Sequence, residues 1–399
     1  MQTSAIRHYH ASRIFHAIRL TPGISQREIA RKTGADKSTV STVIKGFEAA
    51  GLIDRTLRGS DNRPGRPGEG IFISSKGWLL AGVYFHPDRI DCVIGGLDGT
   101  ILRTSSDIMP FEPARVGGIV NKMMIATCAG LGRSASDLLA LGVSVPGLVT
   151  MAGKVARSPN LGWVDVELRD ILEKSVEVPV YIDNDANGAA LAESLLGAGV
   201  GLDHFIYVES GSGVGGGLVL DGSIYRGASG FGGEIGHNKI VRNGRECHCG
   251  KRGCLSAYVA DYALLARAHD KSLSVSSVSD LAALADSGDA GALDIFCEAA
   301  DHLGIGLANI ANTFNPSSIV LGGLLSRYSR HFVERTKEAF TALAISAVAD
   351  VCDIQPSALG DGPPLGALAI ALYGCTSSEA SDVTPWHLGN EAVSESTKK

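Results

Sequence analysis

No stretch of this 399-residue chain approaches the roughly 18 consecutive apolar residues that a membrane-spanning helix needs. Trp78–Phe85 has instead the length of a buried strand. No secretory h-region is read at the start, where Arg7, His8, His10 and Arg13 precede any apolar stretch. Cysteine is scarce, 8 in all, and five of these (Cys92, Cys128, Cys297, Cys352 and Cys375) are scattered through apolar segments, as small core residues are. A reducing, cytoplasmic home is the expectation, with no membrane partner. Charged residues make up only 20% of the chain against 45% hydrophobic, which excludes wholesale disorder and allows full cores. The length suggests two or three domains.

An excess of positive charge is missing from most of the chain. Residues 1–70 carry 12 Lys and Arg against 6 Asp and Glu, whereas the other 329 residues carry 24 against 36. A basic head on an acidic body points to a polyanionic partner for the head alone. Within the head, Ile14, Ala17 and Ile18 give a first helix its apolar stripe, ended by Pro22-Gly23. Ser25 and Glu28 form a capping box for a second helix, and Asp36 caps a third running to about Ala50. Val40, Val43, Ile44 and Phe47 turn inward at helical spacing. Lys37, Ser38, Thr39, Ser41, Thr42 and Lys45 are then the candidates to meet phosphates and base edges in a major groove. Strands Leu52–Leu57 and Ile71–Ser74 flank a basic, proline-rich wing in which Arg63 and Arg66 are minor-groove candidates. The competing reading is a small helical interaction module with a solvated polar face. A recognition helix reads few base pairs, so specificity calls for a dimer on two half-sites.

The remaining cysteines are concentrated in one run. His237, Cys247, Cys249 and Cys254 offer one imidazole and three thiolates, the ligand set of a closed tetrahedral zinc site. Four protein ligands leave no open position, so Zn2+ would be structural. The alternative is a set of ordinary thiols on a glycine-rich loop.

From Trp78 onward strands alternate with helices, an α/β pattern. Polar residues gather where α/β proteins place ligands. They lie in Ser158-Pro-Asn-Leu-Gly-Trp163, Asp183-Asn-Asp-Ala-Asn187, a Gly-rich turn over Glu209–Gly217, and Gly233-Glu-Ile-Gly-His237. Asp185 has the chemistry of a general base or, with Asn184, the place of a helix N-cap. Trp163 suits either a core or the aromatic platform of a ligand site.

These motifs, taken in order, resemble the ROK family of repressors and sugar kinases, and with the head included the chain to about residue 375 is similar to its sugar repressors. The resemblance implies an N-terminal winged helix-turn-helix (α with a small β wing) followed by a two-lobed α/β actin-like (ribonuclease H-like) sugar-kinase fold. It implies a head over 1–75, a small lobe over 76–187 completed by a helix at 363–375, a large lobe with the zinc site and dimer interface over 188–362, and a disordered tail over 376–399. A small carbohydrate would sit in the cleft between lobes, met by Asn160, Asn184, Asp185, Glu234 and His237, with His237 also on zinc. The expected assembly is a homodimer or tetramer bound to double-stranded operator DNA.

Three positions depart from the family pattern. Its kinases hold nucleotide phosphates with an Asp-x-Gly-Gly-Thr hairpin, whereas this chain reads Tyr84-Phe-His-Pro-Asp-Arg89, and Pro87 has no N–H to donate. Ser256 stands where a sugar-binding glutamate is usual, and Glu209 adds an acid. The expectation is therefore a sugar-responsive repressor of carbohydrate-utilisation genes with a dismantled ATP site, and not an enzyme. The alternative is an active sugar kinase carrying a DNA-binding head.

Overall fold

The computed structural model describes residues 3–57, 69–110, 112–323, 330–359 and 363–377. The wing tip with Arg63 and Arg66, and the tail beyond Ser377, lie outside the described residues. The chain forms two compact units, one of Met1–Gly147, Ala152–Asp183 and Ala367–Lys399, the other of Leu148–Met151 and Asn184–Gly366.

The head opens the first unit with helices α1 (Thr3–Leu20), α2 (Gln26–Thr33) and α3 (Lys37–Ala49), then strands β1 (Ile53–Leu57) and β2 (Glu69–Ile73). The expected caps are present. The Ser25 hydroxyl accepts from the Glu28 amide while Glu28 accepts from the Ser25 amide, and Asp36 accepts from the Thr39 amide at 2.8 Å. Ile14, Phe15, Ile18, Ile29, Val40, Ile44 and Phe47 close the core, with the Phe15 and Phe47 rings edge-on at 6.2 Å. Antiparallel β1 and β2 form the base of the wing, completing a winged helix-turn-helix.

The rest of the first unit is built on a sheet in the order β10-β6-β3-β4-β5. Its members are β3 (Leu79–Phe85), β4 (Arg89–Gly96), β5 (Ile101–Ile108), β6 (Leu138–Val145) and β10 (Val180–Asn184), with α4 (Val116–Ala129) packed on β4 and β5. Runs such as Leu79-Leu80-Ala81 are buried on both sides of the sheet, hence their continuous apolar character. The short β7 (Leu148–Val149) falls in the second unit; β8 (Val155–Ser158), β9 (Trp163–Val166) and α5 (Leu168–Glu173) return to the first. Trp163 is only 4% exposed, its ring 5.5 Å from that of Phe85. It is therefore a core residue and not a platform.

The second unit holds a sheet in the order β13-β12-β11-β14-β15. It runs through α6 (Asp185–Leu196), β11 (Phe205–Ser210), β12 (Val214–Leu220), β13 (Ser223–Ile224), α7 (Ser256–Val259), α8 (Asp261–Asp270), α9 (Val278–Asp286), α10 (Ala290–Phe314), β14 (Ser318–Gly323), α11 (Arg330–Leu343), α12 (Ser346–Ala349) and β15 (Asp353–Pro356). The final helix, α13 (Pro363–Thr376), is counted with the first unit from Ala367 on.

Two expectations are corrected. The glycines after Gly213 belong to strand β12 instead of a turn. A Cβ on Gly217 would lie 2.4 Å from that of Ala190, so glycine here admits helix α6 and does not mark a bend. Cys297, on α10, is exposed instead of buried. Phe47 fills the head core without contributing to the exposed face of α3, so Phe47→Ala should destabilise the head by about 3–5 kcal/mol in chemical denaturation.

Candidate functional site

His237, Cys247, Cys249 and Cys254 come together as the sequence suggests, with all four ligand atoms within 4.8 Å of one another. Thiolates about 2.3 Å from a tetrahedral zinc are about 3.8 Å apart. Cys249 and Cys254 sulfurs are 3.7 Å apart, a separation that suits a shared ion and is far too long for a disulfide. Backbone bonds fold the loop: Cys247 N–H donates to the Lys251 carbonyl and Gly250 N–H to that of Cys247, each at 2.8 Å. Gly253, at φ 78°, passes so near the Val241 carbonyl that a Cβ would lie 1.8 Å from its oxygen. Partial burial and the nearby Lys239 ammonium hold the His237 imidazole below its usual pKa, favouring the neutral form that binds metals. Lys239 donates to Cys254 at 2.7 Å and supplies positive charge beside three thiols.

His237 links this cluster to the acids. Its Nδ1 lies 3.8 Å from the Cys247 sulfur, while its Nε2 lies 3.8 Å from Glu234 Oε2. The ring thus has one nitrogen on the cluster side and the other toward a carboxylate, the arrangement that orients metal-binding histidines. Ser256, absent from the sequence-derived site, donates to the Gly236 carbonyl at 3.0 Å and accepts from the Val214 amide at 3.2 Å. It pins the turn that carries His237.

Both readings of Asn184 and Asp185 have a place in the geometry. The Asn184 side chain caps α6, accepting from the Ala186 amide at 2.9 Å and the Asn187 amide at 3.3 Å. Asp185 follows as the first helical residue, its carboxylate 3.1 Å from the Ala186 amide. Loss of solvent, then the charge of Glu209, pushes Asp185 up to about 8. Glu209 stands on β11 and accepts from the Tyr207 hydroxyl at 2.9 Å. Burial raises Glu234 as well. Asn160 is exposed in the turn between β8 and β9 and belongs to the first unit, whereas the other four belong to the second.

On α3, Lys37, Ser38, Thr42 and Lys45 are exposed, and Thr39 and Ser41 half-buried. Ser38 and Thr39 hydroxyls already donate to Asp36, at 2.6 and 2.7 Å, and Thr42 to the Ser38 carbonyl at 3.0 Å. Lys37, Ser41 and Lys45 are in no such pairing among the contacts described. In the β3–β4 hairpin, His86 and Asp91 are 2.7 Å apart, Arg89 reaches Asp91 at 3.2 Å, and the Tyr84 and His86 rings meet edge-on. Side chains fill the turn that the sequence reading compared with a phosphate hairpin.

The ROK family model matches residues 82–373. The chain belongs to the ROK family. A MarR family model matches residues 8–64, over the head. The xylose repressor of Bacillus subtilis (strain 168) is 32% identical over 353 residues, covering 88% of this chain and 91% of that protein. A glucokinase from Halalkalibacterium halodurans is 37% identical over 250 residues, 58% of this chain and 76% of its own. The crystal structure of a ROK family transcriptional regulator, described as a homologue of the E. coli MLC protein, agrees with a TM-score of 0.82. It covers 98% of this chain and 100% of its own at 21% identity, a likeness of fold. This ROK protein thus joins a winged helix-turn-helix to the actin-like sugar-kinase fold.

A raised carboxyl has a stability signature. Between the ordinary aspartate value of 3.8 and about 8, the folded chain keeps a proton at Asp185 that the unfolded chain releases. Stability is therefore lost as pH rises across that window. Asp185→Asn should flatten that part of the melting-temperature profile, and parallel profiles for the two proteins would show that Asp185 ionises normally.

Proposed function

We propose that this protein is a sugar-responsive transcriptional repressor of carbohydrate-utilisation genes, acting in the cytoplasm as a homodimer or higher oligomer on operator DNA. The observation that carries the reading is the xylose-repressor likeness running over 88% of the chain, against 58% for the glucokinase. The exposed residues of α3 supply polar groups of the kind that meet phosphates and bases. Lys37, Ser38, Thr39, Ser41, Thr42 and Lys45 would line the major groove, with Arg63 and Arg66 of the wing in the minor groove.

Asn160, Asn184, Asp185, Glu234 and His237 are the proposed contacts to sugar hydroxyls. Carboxylates and amides read paired hydroxyls because they accept and donate at fixed angles. With its carboxyl pushed up to about 8, Asp185 holds a proton at neutral pH and offers a donor where a kinase needs a base. His237, Cys247, Cys249 and Cys254 would hold zinc, which when bound cross-links the loop from Ile235 to Cys254 and fixes the His237 ring beside Glu234. The filled His86–Asp91–Arg89 turn, with Pro87 lacking an N–H, supports loss of the nucleotide grip.

A thermal-shift panel of pentoses and hexoses tests the effector reading. A sugar at 100 times its Kd stabilises by about 2.7 kcal/mol, and Asp185→Ala should abolish the rise; no response to any sugar would sink it. The kinase alternative, favoured by the 37% identity to a glucokinase, predicts sugar-dependent ADP release in a coupled assay. We expect none. Cys249→Ser should lose its bound metal and melt lower, and equal stability without metal would remove zinc from the account. Lys45→Ala should reduce the slope of log affinity against log salt by about 1, while an unchanged slope would take Lys45 off the phosphates.

A further inference from the structure

The passage from head to body has no slack. Residues 74–78 separate β2 from β3, and both ends of that segment are bonded to the head. Ser74 N–H donates to the Leu52 carbonyl at 3.0 Å. Trp78 Nε1–H donates to the Ala50 carbonyl at 2.8 Å. Ala50 is the C-cap of α3, and its carbonyl belongs to the set a helix end leaves without an intrahelical partner. Gly77 lies so close that a Cβ there would be 2.3 Å from the Gly51 carbonyl oxygen. The Gly77 carbonyl in turn accepts from Arg133 Nη2, and Arg133 is braced by Asp137 at 2.7 Å.

The far side of the head is held as well. Burial, then the Arg19 charge, lowers His16 to about 3, so the ring is neutral. Its Nδ1 accepts from Arg19 Nε at 3.3 Å, which leaves Nε2–H to donate to the Thr376 hydroxyl, 3.2 Å away at the end of α13. His8 Nε2 donates to the Ser377 carbonyl at 2.7 Å. Arg19 itself is buried, and Asp98 on the β4–β5 turn offsets part of that burial.

We infer that Trp78 is a positioning residue for operator recognition: its indole locks the recognition helix to the start of β3, so that the first unit carries the head as one rigid part and sets the half-site spacing. The inference rests on the DNA-binding reading above. A head on a loose tether would accept several spacings, whereas one bonded at the C-cap of its recognition helix accepts one.

Trp78→Phe in the full chain keeps the ring and removes only the donor, and two measurements test it. Lys76 is exposed within the 74–78 segment, so trypsin reports directly on opening of the lock. Loss of one hydrogen bond should speed cleavage at Lys76 on the order of fivefold, and a wild-type rate would overturn the lock. In the second, affinity is measured for operator fragments with half-sites moved apart in single base-pair steps. The wild type should prefer one spacing, and the variant should bind neighbouring spacings within a few-fold of it. A purely structural defect would weaken all spacings alike, and a preference as narrow as the wild type's would overturn the positioning role. If the wild type binds no fragment, the DNA reading fails while the Lys76 rate still judges the lock. Should Trp78→Phe fold poorly, Arg133→Gln, which releases Gly77 from the other side, gives the same two outcomes.

Discussion

The close packing of α13 against the first sheet is the constraint on which much of this molecule depends. A Cβ on Gly82 would lie 2.7 Å from the Leu368 amide nitrogen, and one on Gly142 would lie 2.1 Å from the Ala367 carbonyl oxygen. Only bare strand backbone admits the helix at that depth. Ala367, Leu368, Ala371 and Leu372 are buried as a result. The helix follows the whole second unit in the chain, so the first sheet is finished by the last segment of the described residues. Its end, at Thr376 and Ser377, is then fixed in place to receive His16 and His8 from the first helix.

The second unit carries a different problem, acids held away from water and near one another. Burial, and after it the charge of Glu209 and more weakly that of Glu234, pushes Asp185 up to about 8. Acids raised in this way are concentrated at functional sites. The cysteine cluster presents the same difficulty in another form, three thiols beside one imidazole. Lys239 meets part of the thiolate charge, and a zinc ion held by the four donors would meet the rest. His237 belongs to both groups, so anything that moves the cluster moves a neighbour of Glu234.

Much of this was legible in the residues because local signals agreed with the tertiary structure. The capping box at Ser25 and Glu28, the Asp36 cap and the inward row of Val40, Ile44 and Phe47 are short-range features that packing did not override. The gathering of His237 with the three cysteines was legible for the same reason, three of the four lying within eight residues. Misreadings arose where a residue type has two physical uses. Glycine marks turns, and it also lets two elements touch, so β12 read as a turn. Trp163 has a face for a sugar and a volume for a core, and only the position of Phe85 decides between them. The lock at Trp78 was not legible at all, since a hydrogen bond across 28 residues leaves no periodicity behind.

In the proposed repressor the reading helix would lie in one unit, and the acids and the His237–Cys254 cluster in the other. The chain passes between the units four times, at 147/148, 151/152, 183/184 and 366/367. The third passage is the end of β10, and the next two residues are Asn184, which caps α6, and Asp185, the charge-crowded acid. The proposed ligand, bonding these two, would meet the chain just after it enters the second unit. Its effect on DNA equals the difference between its affinities for the arrangements available to the chain, typically about 1–3 kcal/mol. A head free to swing would dissipate that difference, because many orientations would satisfy either arrangement. Bonding the recognition helix at Ala50 and the first helix at Thr376 removes those orientations, which lets a small bias at Asp185 appear as a change in operator affinity.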